Sequence, residues 1–200
     1  MGKTPNSKTV EFLFDFGSPA TYLAHKRVPE IAARTGASFD YQPFLLGGVF
    51  KATGNSSPVM VPAKGKWMLG DLGRWAKRYG TPFNMNPNFP INTLTLMRGA
   101  AGLKGKPGFE RYVDAVFNAI WKDRENMSDP AVVAEVLFAA GLDGNAILEA
   151  ANSDEAKAAL KEATERAVER GAFGAPTFFI GDEMHFGQDR LDFVEEAIAA

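Results

Sequence analysis

The sequence predicts an α/β fold in which a run of helices interrupts a small β-sheet. Three features support this prediction: a strand–helix–strand pattern at the start, helical patterns alone in the middle, and two short strands near the end. We therefore expect a sheet domain, residues 8–45 and 171–200, and an inserted helical domain, residues 46–170.

The first segment has the pattern of a βαβ unit. Thr9–Phe14 is rich in residues that favour strands, and Gly17-Ser18-Pro19 ends the strand. Apolar residues then recur at helical spacing from Pro19 to about Gly36, and Ser38–Phe44 alternates polar and aromatic residues as a second strand. A helix between two strands at this spacing predicts that the strands are parallel.

The middle of the chain is predicted to be helical. Leu45–Pro62 and Gly80–Asn92 are rich in turn-forming residues and are expected to be irregular. Helices are predicted at Trp67–Tyr79, Thr93–Leu103, Gly108–Lys122, Pro130–Ala140 and Asp154–Arg170.

The end of the chain returns to strands. Thr177–Ile180 and Glu183–Phe186 are short strand patterns, and the tight turn Gly181-Asp182 between them predicts a hairpin. A last helix is expected to start within residues 187–189 and to run through Ala199.

The composition argues against several classes of function. The chain has no cysteine and two histidines, so we expect no disulfide, no thiol redox chemistry of its own and no metal site. A net charge of -2 with mixed signs argues against nucleic-acid binding, and no apolar run reaches the ~20 residues of a membrane span. The polar leader Met1–Lys8 has no apolar export signal, which predicts a cytoplasmic protein.

Ser18 is the first candidate site residue, and it has two interpretations. Locally it is a helix N-cap followed by proline at the first helical position. Its place after the first strand also puts its hydroxyl beside free backbone N–H groups and the positive end of the helix dipole. A hydroxyl there can donate to an anion, and a cofactor thiolate held in this way would have a lowered pKa.

Two motifs near the C-terminus offer similar alternatives. Pro176 is either a loop proline or a cis proline that would turn the Ala175 backbone outward to pair with an extended peptide. Gln188 or Asp189 either caps the last helix, or the helix N-terminus holds a ligand carboxylate while Asp189 pairs with an ammonium. A ligand that carries both groups at one end is either an amino acid or the γ-glutamyl end of glutathione.

The ordered motifs resemble one family over nearly the whole chain, from about Val10 to Ile198. The motifs are FDFGSPATYLA, GNSSP, KGKWMLGDLGRWAKRYG, VFNAIW and GAFGAPTFFIGDEMHFGQDRL. Together they are similar to the kappa-class glutathione transferases and the 2-hydroxychromene-2-carboxylate isomerases, which belong to the DsbA-like branch of the thioredoxin fold. The resemblance implies a thioredoxin-like fold with a large all-helical insertion.

The resemblance also implies a glutathione site. Ser18, at the place of the first cysteine in the oxidoreductase relatives, would donate to the glutathione sulfur. Ala175, before a cis Pro176, would bond the cysteinyl backbone, and Gln188 and Asp189 would hold the γ-glutamyl end.

Three further positions follow from the resemblance, although their local patterns are weak. Asn55 matches a pocket residue near the reacting centre, and Lys64 and Asp71 match positions that line the substrate side. Lys64 is a partner for either the substrate carboxylate or a glutathione carboxylate. Ala20, Thr21 and His185 depart from residues common in the family, which makes the substrate less defined than the cofactor.

The implied function is a glutathione-dependent isomerase of aromatic-hydrocarbon catabolism that acts on a small aromatic substrate as a homodimer. The alternative within the family is a kappa-class-like transferase or peroxidase acting on other electrophiles. An alternative of another class is a non-catalytic thioredoxin-fold peptide binder, because the chain has no cysteine.

Overall fold

The structure, a computed structural model, describes residues 9–200; the leader Met1–Lys8, with the predicted domain start at Lys8, lies outside them. Within the described residues the predicted α/β fold is confirmed. In chain order the elements are β1 (Thr9–Phe14), α1 (Pro19–Thr35), β2 (Ser38–Pro43), α2 (Leu46–Thr53), α3 (Pro62–Tyr79), α4 (Leu94–Leu103), α5 (Phe109–Trp121), α6 (Pro130–Ala139), α7 (Gly144–Ala150), α8 (Asp154–Glu169), β3 (Thr177–Ile180), β4 (Glu183–Phe186) and α9 (Leu191–Ala199), with 3₁₀ turns at Pro58–Met60 and Gln188–Arg190.

The four strands form one mixed sheet in the order β2-β1-β3-β4. β1 and β2 are parallel, as predicted, whereas β3 is antiparallel to both β1 and β4. Phe12 in the middle of β1 faces Tyr41 on one side and Phe178 on the other. Because β1 and β3 are antiparallel, the end of β1 and the start of β3 lie at the same edge of the sheet.

The core extends from the sheet into the helical segment. The rings of Phe12 and Phe178 stack with centroids 4.8 Å apart, and Phe16 packs edge-on against Phe117 of α5 at 4.8 Å. The buried Trp121 at the end of α5 donates its indole N–H to the Phe16 carbonyl over 2.8 Å. The two predicted domains therefore share a core, and their boundaries stay a prediction.

The helical segment differs from the sequence-based prediction in three places. Residues 45–62 are not a continuous loop, because α2 occupies Leu46–Thr53 and a 3₁₀ turn follows at Pro58–Met60. α3 starts at Pro62, five residues before the predicted start, with proline in its first turn as helix starts favour. The seven-residue α7 was not predicted. Among residues 9–200, no helix combines the length and the apolar character that crossing a bilayer requires.

The last helix starts later than predicted. Gln188 and Asp189 lie in the 3₁₀ turn, and α9 begins at Leu191 after Arg190, which makes no side-chain cap bond. The interpretation of Gln188 or Asp189 as the cap of this helix is therefore wrong. Both side chains are left for other contacts.

Candidate active site

The Ser18 turn joins β1 to α1 at the edge of the sheet. Ser18 is the N-cap of α1: its Oγ accepts from the Thr21 N–H over 3.1 Å, and its side chain is almost fully buried. Pro19 at the first helical position has no N–H, and the Tyr22 N–H already donates to the Ser18 carbonyl. Among the described residues, the Ala20 N–H of this turn has no acceptor and is left for a ligand.

The Ser18 hydroxyl also reaches the far end of the chain. Its Oγ donates to the Ala175 carbonyl oxygen over 3.2 Å, and the Ala175–Pro176 peptide bond is cis, as predicted. The Gly187 N–H donates to the Pro176 carbonyl over 3.0 Å, which brings the turn after β4 to the same place. Ser18, Ala175, Pro176 and residues 187–189 are thus brought together.

A buried carboxylate that the sequence analysis did not single out holds the Ser18 turn. Asp15 accepts from the Gly17 N–H, the Leu46 N–H and the Thr93 hydroxyl, each over 2.8 Å. Its own carbonyl oxygen accepts from the Ser18 N–H over 3.1 Å. Burial raises the pKa of Asp15, and the three hydrogen bonds oppose that rise. Asp15 therefore fixes the turn to the starts of α2 and α4.

Asn55 contacts the loop that carries Ala175. Its side-chain N–H donates to the Phe173 carbonyl over 2.8 Å, and its Oδ1 accepts from the Ser56 N–H. The same loop packs closely on β4, because a Cβ added at Gly174 would lie 2.7 Å from the Phe186 ring. Asn55 is exposed, and its amide is engaged with backbone two residues before Ala175.

Gln188 and Asp189 differ in their surroundings. The Gln188 side chain is buried, and its Oε1 has no hydrogen-bond partner among the described residues, while Tyr79 donates to the Gln188 carbonyl over 3.0 Å. Asp189 is exposed and pairs with Arg190 over 2.7 Å. Gly187 precedes them with φ +101°, and a Cβ added there would lie 2.5 Å from Asp189 Oδ1. Only glycine fits this turn without strain.

Lys64 and Asp71 both lie on α3, and no contact of the described residues joins either to Ser18. Lys64 is exposed and forms no ion pair within residues 9–200. Asp71 is half-buried and accepts from Arg74, three residues later on α3, over 3.4 Å.

His25, near the middle of α1, belongs to a separate network. Its Nδ1 lies 2.9 Å from the Tyr41 hydroxyl, and its Nε2 lies 3.1 Å from Asp114 Oδ1. Burial lowers the pKa of His25 and raises that of Tyr41, whereas the His25 hydrogen bond lowers the pKa of Asp114. These contacts tie α1 to β2 and α5.

A cavity of about 720 Å³ lies between α2, α4 and α8. Leu45, Gly48, Leu94, Arg98, Leu160 and Thr164 are among its lining residues. Ser18 does not line it. Two lining residues, Leu45 and Leu94, are chain neighbours of Leu46 and Thr93, which both bond Asp15. The cavity is thus linked to the Ser18 turn through the hydrogen bonds of Asp15.

Comparison with known proteins identifies the family. Residues 9–199 match the family model described as a DsbA-like thioredoxin domain. The chain belongs to the DsbA-like thioredoxin family. The match covers every element from β1 to α9. This DsbA-like chain therefore has the thioredoxin-like fold that the resemblance of its motifs implied.

Within the family, this DsbA-like chain is similar to 2-hydroxychromene-2-carboxylate isomerases. It is 34% identical to the one from Sphingobium xenophagum, covering 94% of this chain and 97% of the relative, and 36% identical to the one from Pseudomonas putida, covering 94% and 93%. The solved structure of a 2-hydroxychromene-2-carboxylate isomerase matches with a TM-score of 0.87 at 34% identity, covering 96% of this chain and 94% of the other. Human glutathione S-transferase kappa 1 is 26% identical over 97% of this chain and 91% of its own.

Proposed function

We propose that this protein is a glutathione-dependent isomerase that interconverts 2-hydroxychromene-2-carboxylate and trans-o-hydroxybenzylidenepyruvate in aromatic catabolism. The observation that carries the proposal is the Ser18 hydroxyl, which caps α1 and lies 3.2 Å from the Ala175 carbonyl in a chain without cysteine. Relatives at 34% and 36% identity over most of the chain are named for this reaction, which favours the isomerase over the transferase alternative.

The proposed glutathione site runs from Ser18 past Ala175 and Pro176 to the turn after β4. In it, Ser18 holds the sulfur, Ala175 next to Pro176 pairs with the cysteinyl backbone, and Gln188 and Asp189 hold the γ-glutamyl end. The orphaned Oε1 of Gln188 supports this fit, because a buried acceptor without a partner suits an ammonium or amide donor. The Ala175 N–H, which donates to no other described residue, suits an extended peptide.

Bound glutathione would supply a thiolate that adds reversibly to the conjugated double bond of the ring-opened substrate, so that the bond can rotate before the thiolate leaves. The protein's task is to keep that sulfur charged. Ser18 would turn its hydroxyl proton from the Ala175 carbonyl to the sulfur, while the free Ala20 N–H and the dipole of α1 add positive potential. Each contact favours the charged form and so lowers the pKa of the thiol.

The remaining candidate residues have supporting roles in this proposal. Asn55 would hold the Phe173–Ala175 loop in place through its 2.8 Å bond to the Phe173 carbonyl. Lys64 and Asp71 would line the substrate side from α3, as the family resemblance implies.

We also propose a homodimer, whereas a cytoplasmic location stays a prediction from sequence. Exposed large apolar side chains support the dimer: Met60, in the 3₁₀ turn before α3, is 73% exposed, and Trp67, on α3, is 64% exposed. Sedimentation analysis of the wild type and of Trp67→Glu tests it. A wild type that stays monomeric at assay concentration would contradict the proposal.

The function is tested by following the absorbance of 2-hydroxychromene-2-carboxylate with and without glutathione, and by titrating the thiol before and after turnover. We expect conversion that requires glutathione and leaves the thiol concentration unchanged. Loss of thiol in step with conversion would favour the transferase alternative. Failure to bind glutathione would favour the peptide binder, and either result would overturn the isomerase.

A further inference from the structure

The cavity between α2, α4 and α8 has the size and lining of a site for a small aromatic molecule. Its volume is about 720 Å³, and Leu45, Leu94, Leu160 and Val168 give it apolar walls. Ligand sites in proteins commonly enclose roughly 300–1,000 Å³ and combine such walls with a few polar groups. Two of its lining residues, Leu45 and Leu94, are chain neighbours of Leu46 and Thr93, and both Leu46 and Thr93 bond Asp15, three residues before Ser18.

The basic side chains that line the cavity differ in whether an acidic side chain pairs with them. Lys157 pairs with Asp154 over 3.2 Å, and Lys161 pairs with Glu165 over 3.4 Å. Arg98, on α4, has no ion pair and no hydrogen bond within residues 9–200, although it is half-buried. It is therefore the cation of this cavity whose charge no described residue compensates.

The acidic residues that line the cavity do not neutralise the charge of Arg98. α4 and α8 touch at Gly102, where an added Cβ would lie 3.5 Å from the Ala156 Cβ. From that contact the cavity lining continues toward the start of α4, as far as Leu94, and toward the end of α8, as far as Glu169. The two helices therefore run antiparallel. Arg98 then lies near Leu160, whereas Glu169 is about 13 Å further along the axis of α8.

We propose that Arg98 is the residue that binds the carboxylate of the aromatic substrate and so determines specificity for an aromatic 2-oxo acid. A guanidinium presents paired N–H donors that match a carboxylate, and its half-buried setting strengthens that contact. The apolar walls would hold the ring on the same side. This inference rests on the proposed isomerase function, and it assigns to Arg98 the task for which sequence alone offered the exposed Lys64.

The kinetic test replaces Arg98 by Gln, which keeps most of the side chain and removes the charge. We expect Arg98→Gln to raise KM for 2-hydroxychromene-2-carboxylate by about 10- to 100-fold, with glutathione affinity and the pKa of the bound thiol unchanged. Arg98→Lys should recover part of the loss. The matched control is Lys157→Gln, because Lys157 lines the same cavity but is already paired, and we expect it to change KM by less than about threefold.

A substrate without the charge separates carboxylate binding from general damage. The methyl ester of 2-hydroxychromene-2-carboxylate should be isomerised equally well by wild type and Arg98→Gln. The assignment is overturned if the ester loses as much activity as the acid, or if Lys157→Gln matches Arg98→Gln.

A binding experiment keeps this inference independent of turnover. We expect wild type and Lys157→Gln to bind the unreactive probe trans-cinnamate in calorimetry, and Arg98→Gln to bind it about 10- to 100-fold more weakly. If the wild type binds cinnamate through Arg98 but does not isomerise the chromene, the carboxylate site stands and the proposed function fails. If it isomerises the chromene and Arg98→Gln behaves like wild type in both experiments, the function stands and the assignment of Arg98 fails.

Discussion

The Ser18 hydroxyl donates to the Ala175 carbonyl over 3.2 Å and so joins residues 157 positions apart in the chain. The same oxygen caps α1 through the Thr21 N–H. The bond from the Thr21 N–H thus serves the fold, whereas the bond to the Ala175 carbonyl is the one that we propose Ser18 exchanges for a bond to a ligand.

Gln188→Leu should weaken glutathione binding without weakening the fold. The Gln188 Oε1 is buried and has no partner in the part of the chain that the structure describes, so replacing the amide by an apolar group of similar size removes an unsatisfied acceptor. We expect an equal or higher free energy of unfolding and a glutathione Kd raised by about 10-fold or more. Denaturant unfolding and calorimetry measure the two quantities. Unchanged affinity would remove Gln188 from the proposed site.

Asp15→Asn should destabilise the protein and lower activity. Asp15 accepts three hydrogen bonds, and an amide N–H in place of one oxygen would face one of those donors. We expect a loss of about 1–3 kcal/mol in the free energy of unfolding, as for other buried groups left unsatisfied. Asp182→Asn, in the exposed β3–β4 turn, is the matched control and should have little effect. Equal effects of the two substitutions would contradict the role given to Asp15.

Gly187→Ala should lower both stability and glutathione affinity. Residue 187 has φ +101°, and the added Cβ would lie 2.5 Å from Asp189 Oδ1, so the turn must shift. We expect a loss of at least about 1 kcal/mol in the free energy of unfolding, measured by denaturant unfolding. Gly70→Ala, inside α3 with open space around it, should instead be neutral or stabilising by up to about 1 kcal/mol. A Gly187→Ala variant as stable as wild type would show that the turn tolerates a side chain.

His25 should make the stability depend on pH. Burial lowers its pKa below the unfolded value of 6.5, so the unfolded chain binds the extra proton first. Stability contributed by neutral His25 is present above pH 6.5 and is lost as the pH falls below it. We expect the free energy of unfolding to fall from pH 7 to 5 in wild type, and to fall less steeply in His25→Gln. Equal slopes would contradict this account.

Local patterns predicted the sheet and most helices, but not the elements that depend on distant packing. α2 contains Gly47 and Gly48, which disfavour a helix locally. A Cβ at Gly48 would lie 3.1 Å from the Thr164 methyl, so this glycine permits the approach of α8. Likewise, Gly144 in α7 lies against Ala134, where an added Cβ would be 2.8 Å from the Ala134 Cα. Such contacts leave no signal in a local window of sequence.

The residues of the candidate site also differ in whether a local sequence pattern predicts them. Ser18 and Pro176 stand in short motifs with local signatures, a strand followed by a cap and a proline before a strand. Asp15 and Arg98 have no such signature, because one depends on partners 31 and 78 residues away, and the other on the cavity between α2, α4 and α8. The FDFGSP motif contains Asp15, three residues before Ser18, and that spacing was the available signal.

The central claim is that Ser18 stabilises a glutathione thiolate, and the thiolate absorbance of bound glutathione against pH tests it most directly. Ser153→Ala is the matched control, since Ser153 caps α8 through the Ala156 N–H over the same 3.1 Å. We expect Ser18→Ala to raise the pKa of the bound thiol by about one to two units and Ser153→Ala to leave it unchanged. Both variants should lose about 1 kcal/mol of stability as caps. An unchanged thiol pKa in Ser18→Ala, with the same loss of stability as Ser153→Ala, would show that Ser18 is only a cap.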